Sequence, residues 1–286
     1  MTSGSILAPS GKSEATENFP VGSFLIERRL RPYVAAYYAW ARAIDDIADD
    51  PELDPEEKLK RLDLMELTLA GAMGRNVPGV EVAWNLRDRL LETDVPFSTA
   101  LDLVSAFRQD VEKNRYANWT ELMDYCNRSA APVGRFLLHL HSERDPAAFE
   151  ASDALCNALQ VINHLQDCKE DYLRLDRVYI PQDWMAEAGA NDAMLAAHAS
   201  TEELGKVIDR CINATRDLME TARRLPALLE NRRLAMESAI IVEIAEALLF
   251  ELFGHDPVRQ KVRLSKMQYA GCVIRGIRKA LTGGYR

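Results

Sequence analysis

Two acidic clusters in this chain share one spacing. In ARAIDDIADD (41–50) Asp45 and Asp49 stand four residues apart, and in NHLQDCKEDYLRLD (163–176) Asp167 and Asp171 repeat the interval with Glu170 between them. On a helix, residues four apart lie on one face, separated by roughly 6 Å along the axis. Carboxylates held that closely repel, so an isolated helix carrying such a pair is weakened by it. Taken alone, the first cluster reads as a solvated acidic helix end before Asp50-Pro51. Its recurrence at the end of a second long apolar helix asks for a common cause. Hard divalent cations such as Mg²⁺ take oxygen ligands and complete their shells with water and phosphate oxygens, so two D-x-x-x-D pairs suit a metal-bridged diphosphate.

A diphosphate site also needs cations. Arg42 precedes Asp45 by three residues and so shares nearly the same helix face, while Arg174 and Arg177 follow the second pair. Such groups hold phosphate oxygens by charge-assisted hydrogen bonds, and ordinary ion pairing with the neighbouring aspartates stands as the alternative for each of them. The late segment RQKVRLSK supplies Lys261 and Arg263 among other bases, and on composition alone it reads as solvated.

Other chemistries find less support. Glu-x-x-His does not occur, which weakens a di-iron carboxylate bundle. His139 and His141 are two apart and point to different helix faces, and His164 reads as a packed polar residue within the second acidic helix. His255-Asp256 in FGHDP resembles a phosphohydrolase dipeptide, but without further spaced histidines it reads as a helix end. Neither G-x-G-x-x-G nor a P-loop is present, so nothing in the sequence supports a nicotinamide cofactor. A net charge of −9 and a pI near 5.2 argue against a nucleic-acid partner, which would demand basic stripes. Five scattered cysteines without a C-x-x-C pair point to reduced thiols in the cytoplasm.

The elements that must position these residues are helices. Apolar residues recur at helical spacing nearly throughout 286 residues, and alternating strand patterns are absent, so the fold class expected is all-α. The pattern predicts helices at about 25–50, 55–73, 80–93, 97–115, 119–142, 147–174, 201–223, 229–253 and 264–281, with prolines in or beside the connections. The polar start predicts a disordered tail over 1–18 and a single helical domain over 19–286. In the apolar stretch 234–253, Glu237, Glu243, Glu246 and Glu251 would be costly in a bilayer core, so a buried helix is expected there. Peripheral contact with a membrane stays open.

At this point the chain resembles the squalene/phytoene synthase family, from Glu17 to the C-terminal region. The resemblance rests on SFLIERRLRPYVAAYYAWARAIDDIAD, on NWTELMDYCNRSAAPVGRFLLHLHS and on ALQVINHLQDCKEDYLRLDRVYIP, in that order. It implies the single-domain, all-helical isoprenoid synthase fold around a central cavity. It further implies several Mg²⁺ ions held by Asp45, Asp49, Asp167 and Asp171 with Asp46 and Glu170 assisting, and a prenyl diphosphate bound by Arg42, Ser23, Arg174, Arg177, Lys261 and Arg263. Tyr125 falls at an aromatic position of the reaction cavity, with a core tyrosine as its alternative. The same resemblance places Phe24, Tyr38, Trp40, Val133, Gly134, Leu137, Gln160 and Asn163 along that cavity. Gly22 departs from the arginine that eukaryotic squalene synthases carry before Ser-Phe, and the YLRLD connection after Asp171 is longer than the family's usual one. Within the family, ENFPVGSF and YCNRSAAPVGRFLLHL are most similar to bacterial hydroxysqualene synthases, which implies presqualene diphosphate and water as substrates and no NADPH. A cytoplasmic enzyme, peripheral to the inner membrane or associated with other squalene-pathway enzymes, is the corresponding expectation. The alternatives are joining of two farnesyl diphosphates to presqualene diphosphate or squalene and, remotely, a non-catalytic helical assembly protein.

Overall fold

The computed structural model describes residues 25–285, so the tail expected over 1–18, and Ser23 and Phe24, lie outside the described residues. Helices carry the fold, and no strand occurs among the described residues; an isolated parallel bridge joins Arg115 and Val178. The chain divides into two compact units, one running to Glu112 and including Phe136–Ser142, the other comprising Lys113–Arg135 and the chain from Glu143 onward. Because the chain passes between the units more than once, neither is a contiguous segment. No linker composition marks the division, and the sequence reads as a single domain.

In the first unit, α1 (Arg31–Asp49) packs on α2 (Pro55–Ala70), α3 (Glu81–Leu91) and α4 (Ser98–Glu112). Trp40, Ile44, Leu62, Met65, Leu86 and Leu103 fill the interior. Two polar tips of α1 are satisfied inside it: Tyr37 donates to the Thr99 carbonyl at 2.7 Å and the Trp40 ring nitrogen to the Ala100 carbonyl at 3.2 Å. α1 starts six residues later than its apolar pattern suggests, at Arg31. Pro32 is tolerated in a first turn, where its missing N–H costs nothing, and would disrupt a helix that began at 25.

In the second unit, the 30-residue α7 (Pro146–Leu175) is the central element. Around it lie α5 (Trp119–Ser129), α9 (Glu202–Ala222), α10 (Leu225–Leu228), α11 (Arg232–Gly254) and a 3-10 turn at Asp192–Ala196. α8 (Gln182–Ala188) packs on α9, and α12 (Lys266–Thr282) lies along α11. The helix expected over 119–142 is two helices, α5 and α6 (Ala131–Leu140), broken at Ala130. Pro132 cannot donate to the preceding turn, and this breaks the run although its apolar spacing continues. α8 and the 3-10 turn escaped the sequence reading because seven and five residues are too few to show a period. α11 is buried as expected, and its buried Glu243, 7% exposed, is paired, accepting from Arg275 at 2.9 Å and from Lys279 at 2.5 Å. A Cβ on Gly276 would fall 2.7 Å from the Ile240 backbone, so the absence of a side chain permits the close approach of α12 to α11.

Candidate active site

The first acidic group occupies the last two turns of α1, with Ile44, Ile47 and Ala48 turned inward and Asp45, Asp46 and Asp49 half-buried. Carboxylates at a helix C-terminus oppose the helix dipole, and the last turn of α1 carries no basic residue. Two cations offset this, Arg42 from an earlier turn of α1 and Lys58 from α2. Arg42 donates to Asp45 at 2.5 Å and to Asp46 at 2.7 Å, and Lys58 of α2 donates to the Ala48 carbonyl at 2.9 Å. Arg42 thus makes the ion pairs that were the alternative to phosphate binding. It also holds two carboxylates together at one helix end.

The second group lies near the end of α7, where Asp167 and Asp171 are half-buried and Glu170 is exposed. Lys261, nearly one hundred residues away in the chain, forms an ion pair with Asp167 and lies 3.7 Å from Glu170. Its position is fixed from α7 itself. Buried Gln166 donates to the Val262 carbonyl at 2.6 Å, and Lys169 donates to the Val258 carbonyl at 3.4 Å. Asp256 anchors the same segment by accepting from Ser200 Oγ at 2.6 Å and from the Val258 N–H at 2.9 Å. This confirms the helix-end reading of His255-Asp256 and shows what the aspartate does. Arg174 is exposed and pairs with Glu170 at 2.9 Å, and Arg263 is exposed beyond buried Val262.

Arg177 goes elsewhere. It is buried, and its Nη1 donates to the Tyr179 hydroxyl at 3.3 Å. Tyr179 belongs to an aromatic cluster with Tyr116, Tyr125 and His164. The Tyr125 centroid lies 5.3 Å from Tyr116, 5.5 Å from Tyr179 and 6.0 Å from His164, and the His164 ring stacks on Tyr179 at 3.5 Å. Tyr125 is buried, as its core-tyrosine alternative has it, within a cluster whose other members the sequence reading did not assemble. Offset and tilted rings of this kind present negative faces that favour a passing cation.

Burial, with the nearby Arg177 charge adding to it, pushes the His164 imidazole down from 6.5 to about 3, and its Nε2 has no hydrogen-bond partner. The folded chain therefore lacks a proton that the unfolded chain binds between those two values. The His164 contribution is complete above pH 6.5 and is lost as pH falls toward about 3. Urea unfolding across this window should show a fall in stability of about 1.4 kcal/mol per pH unit attributable to one proton. His164→Phe, which keeps the stacked ring, should flatten the profile by that amount. An unchanged slope in the variant would contradict this account of His164.

The remaining expected cavity residues have distinct surroundings. Trp40 is core, with its ring nitrogen satisfied as described, and Tyr38 is half-buried on the same helix. Gly134 is a packing residue: a Cβ there would lie 2.3 Å from Ser152 Oγ and 2.8 Å from Cys156 Sγ. Val133 and Leu137 are half-buried on α6, and Gln160 and Asn163 are half-buried on α7 above Asp167.

Among the described residues, no three His, Cys, Asp or Glu side chains converge into a metal cage. Each acidic group instead offers hard oxygen donors with partial access to solvent. That donor set fits Mg²⁺, which binds through one or two carboxylates and takes its other ligands from water and substrate phosphate.

Comparison with known proteins shows the family. The squalene/phytoene synthase family model matches residues 13–268. A hydroxysqualene synthase of Rhodopseudomonas palustris is 42% identical over 94% of this chain and 90% of its own length. One from Zymomonas mobilis is 40% identical over 92% and 87%. Among solved structures, squalene synthase HpnC from Alicyclobacillus acidocaldarius superposes with a TM-score of 0.71 at 31% identity, covering 83% of this chain and 88% of that one. A helical fold bearing two D-x-x-x-D pairs, matched over most of its length by these relatives, belongs to the squalene/phytoene synthase family.

Proposed function

We propose that this enzyme converts presqualene diphosphate and water into hydroxysqualene and diphosphate. One observation carries the reading: three hydroxysqualene synthases are 40–42% identical to the chain over at least 92% of its length. In the reaction the bond from carbon to the diphosphate oxygen breaks, and the cyclopropylcarbinyl cation rearranges. A water oxygen then bonds to carbon and releases one proton. No hydride is consumed, so no NADPH is required.

Asp45, Asp49, Asp167 and Asp171, assisted by Asp46 and Glu170, would hold Mg²⁺, which when bound neutralises the diphosphate and favours its departure. Lys261, with Arg263 and Arg174, would bind the diphosphate as charge accumulates on it, exchanging carboxylate partners for phosphate oxygens. Arg42 would orient Asp45 and Asp46 through the two bonds it already makes. Tyr125, in its aromatic cluster, would stabilise positive charge on the migrating carbon skeleton while apolar walls exclude bulk water.

The 31%-identical squalene synthase HpnC favours a second reading, in which two farnesyl diphosphates are joined. Substrate choice separates the two. Purified enzyme with Mg²⁺ and no reductant should turn over presqualene diphosphate and leave farnesyl diphosphate essentially unreacted, with products identified by mass spectrometry. Efficient formation of presqualene diphosphate from farnesyl diphosphate would replace the first reading with the second.

A further inference from the structure

After Asp256 the sequence contains eight Lys or Arg residues and no Asp or Glu, in a chain whose net charge is −9. Part of this excess is used internally: Arg275 and Lys279 turn to Glu243, and Lys261 to Asp167. Arg259, Arg263, Lys266 and Arg278 remain exposed.

The helix in this basic segment carries an apolar stripe that its own fold does not cover. α12 buries Cys272 and Gly276 against α11. Met267, Ile274 and Leu281, seven residues apart, are 87%, 67% and 73% exposed. Residues at seven-residue intervals stay on one face with a drift of only about 20° per step, and this face is opposite Cys272 and Gly276. Phe250, 73% exposed, sits at the end of α11 beside the start of α12, where Glu251 accepts from Gln268. A single exposed leucine needs no explanation. A line of them, flanked by Lys266 and Arg278 and backed by a helix that cannot leave its neighbour without uncovering Gly276, does.

We propose that the outer face of α12 docks on an anionic lipid bilayer surface, its apolar stripe entering the headgroup boundary while the helix's own exposed cations, Lys266 and Arg278, meet lipid phosphates. Charge selects this occupant. A second copy meeting the same face about a two-fold axis would bring cations against cations, whereas an anionic surface complements Lys266 and Arg278 together. Among the described residues no helix is long and apolar enough to cross a membrane, so contact through this face would lie in the plane of the interface. The surface stands independently of the reaction assigned to the enzyme.

Co-sedimentation of the full chain with phosphatidylglycerol-containing vesicles, compared with pure phosphatidylcholine vesicles, tests this. Binding should appear only with the anionic vesicles and weaken as salt rises. The double variant Ile274→Glu/Leu281→Glu should lose at least about tenfold in partition coefficient. Lys266→Glu/Arg278→Glu should lose several-fold per cation while retaining the helical circular dichroism of the wild type. Absence of binding to the anionic vesicles would overturn the proposal, as would equal binding by the folded charge variant. Lipid-free dimerisation in sedimentation velocity that the apolar variant abolishes would assign the face to a second copy instead.

Discussion

Asp49→Asn and Asp171→Asn should each lower turnover of presqualene diphosphate by at least about a hundredfold, with helical content and urea unfolding close to wild type. The expected size follows from the several kcal/mol that a bound divalent cation contributes to leaving-group stabilisation, at about 1.4 kcal/mol per tenfold in rate. The fold should survive because each change removes one charge from a half-buried, like-charged pair that is repulsive without metal. Binding offers an independent readout. In the wild type, Mg²⁺ with inorganic diphosphate should raise the melting temperature by more than the sum of either alone, since a ligand that binds only the folded state stabilises it. In both variants the joint shift should disappear. Near-wild-type turnover in either one, or purely additive shifts in the wild type, would remove these aspartates from the site.

How much of this was legible in the sequence depends on the range of the physics involved. The long helices were, because apolar spacing is local, and so were the aspartate pairs, whose four-residue interval needs only a helix to become a shared face. Pro132 marked a helix break that the apolar pattern ran through, since periodicity records which residues face inward and not whether the backbone hydrogen bonds continue. The partners of the second acidic group were less visible. Lys261 stood out as a base, but its placement beside Asp167 depends on the Gln166 bond to Val262, 96 residues along the chain. His164 read as a packed polar residue, and it is buried. Its company of Tyr125 from α5, with Tyr116 and Tyr179 from the flanking segments, is a tertiary convergence that no single window contains. Gly134 carried no local signal beyond being small, and its packing against Ser152 and Cys156 shows only when α6 and α7 are set side by side.

The reaction itself is decided by what captures the carbon skeleton after diphosphate leaves. Both readings of the family use acidic pairs, bases and an apolar cavity, so variants at those positions do not separate them. Capture by water and capture by hydride leave different atoms in the product. Purified enzyme incubated with presqualene diphosphate and Mg²⁺ in oxygen-18 water, without NADPH, should release hydroxysqualene carrying a single oxygen drawn from the solvent. Its mass should rise by one isotopic substitution relative to product made in ordinary water, with free diphosphate formed in equal amount. Product without the solvent label, or squalene appearing as the main product only when NADPH is supplied, would contradict the assignment.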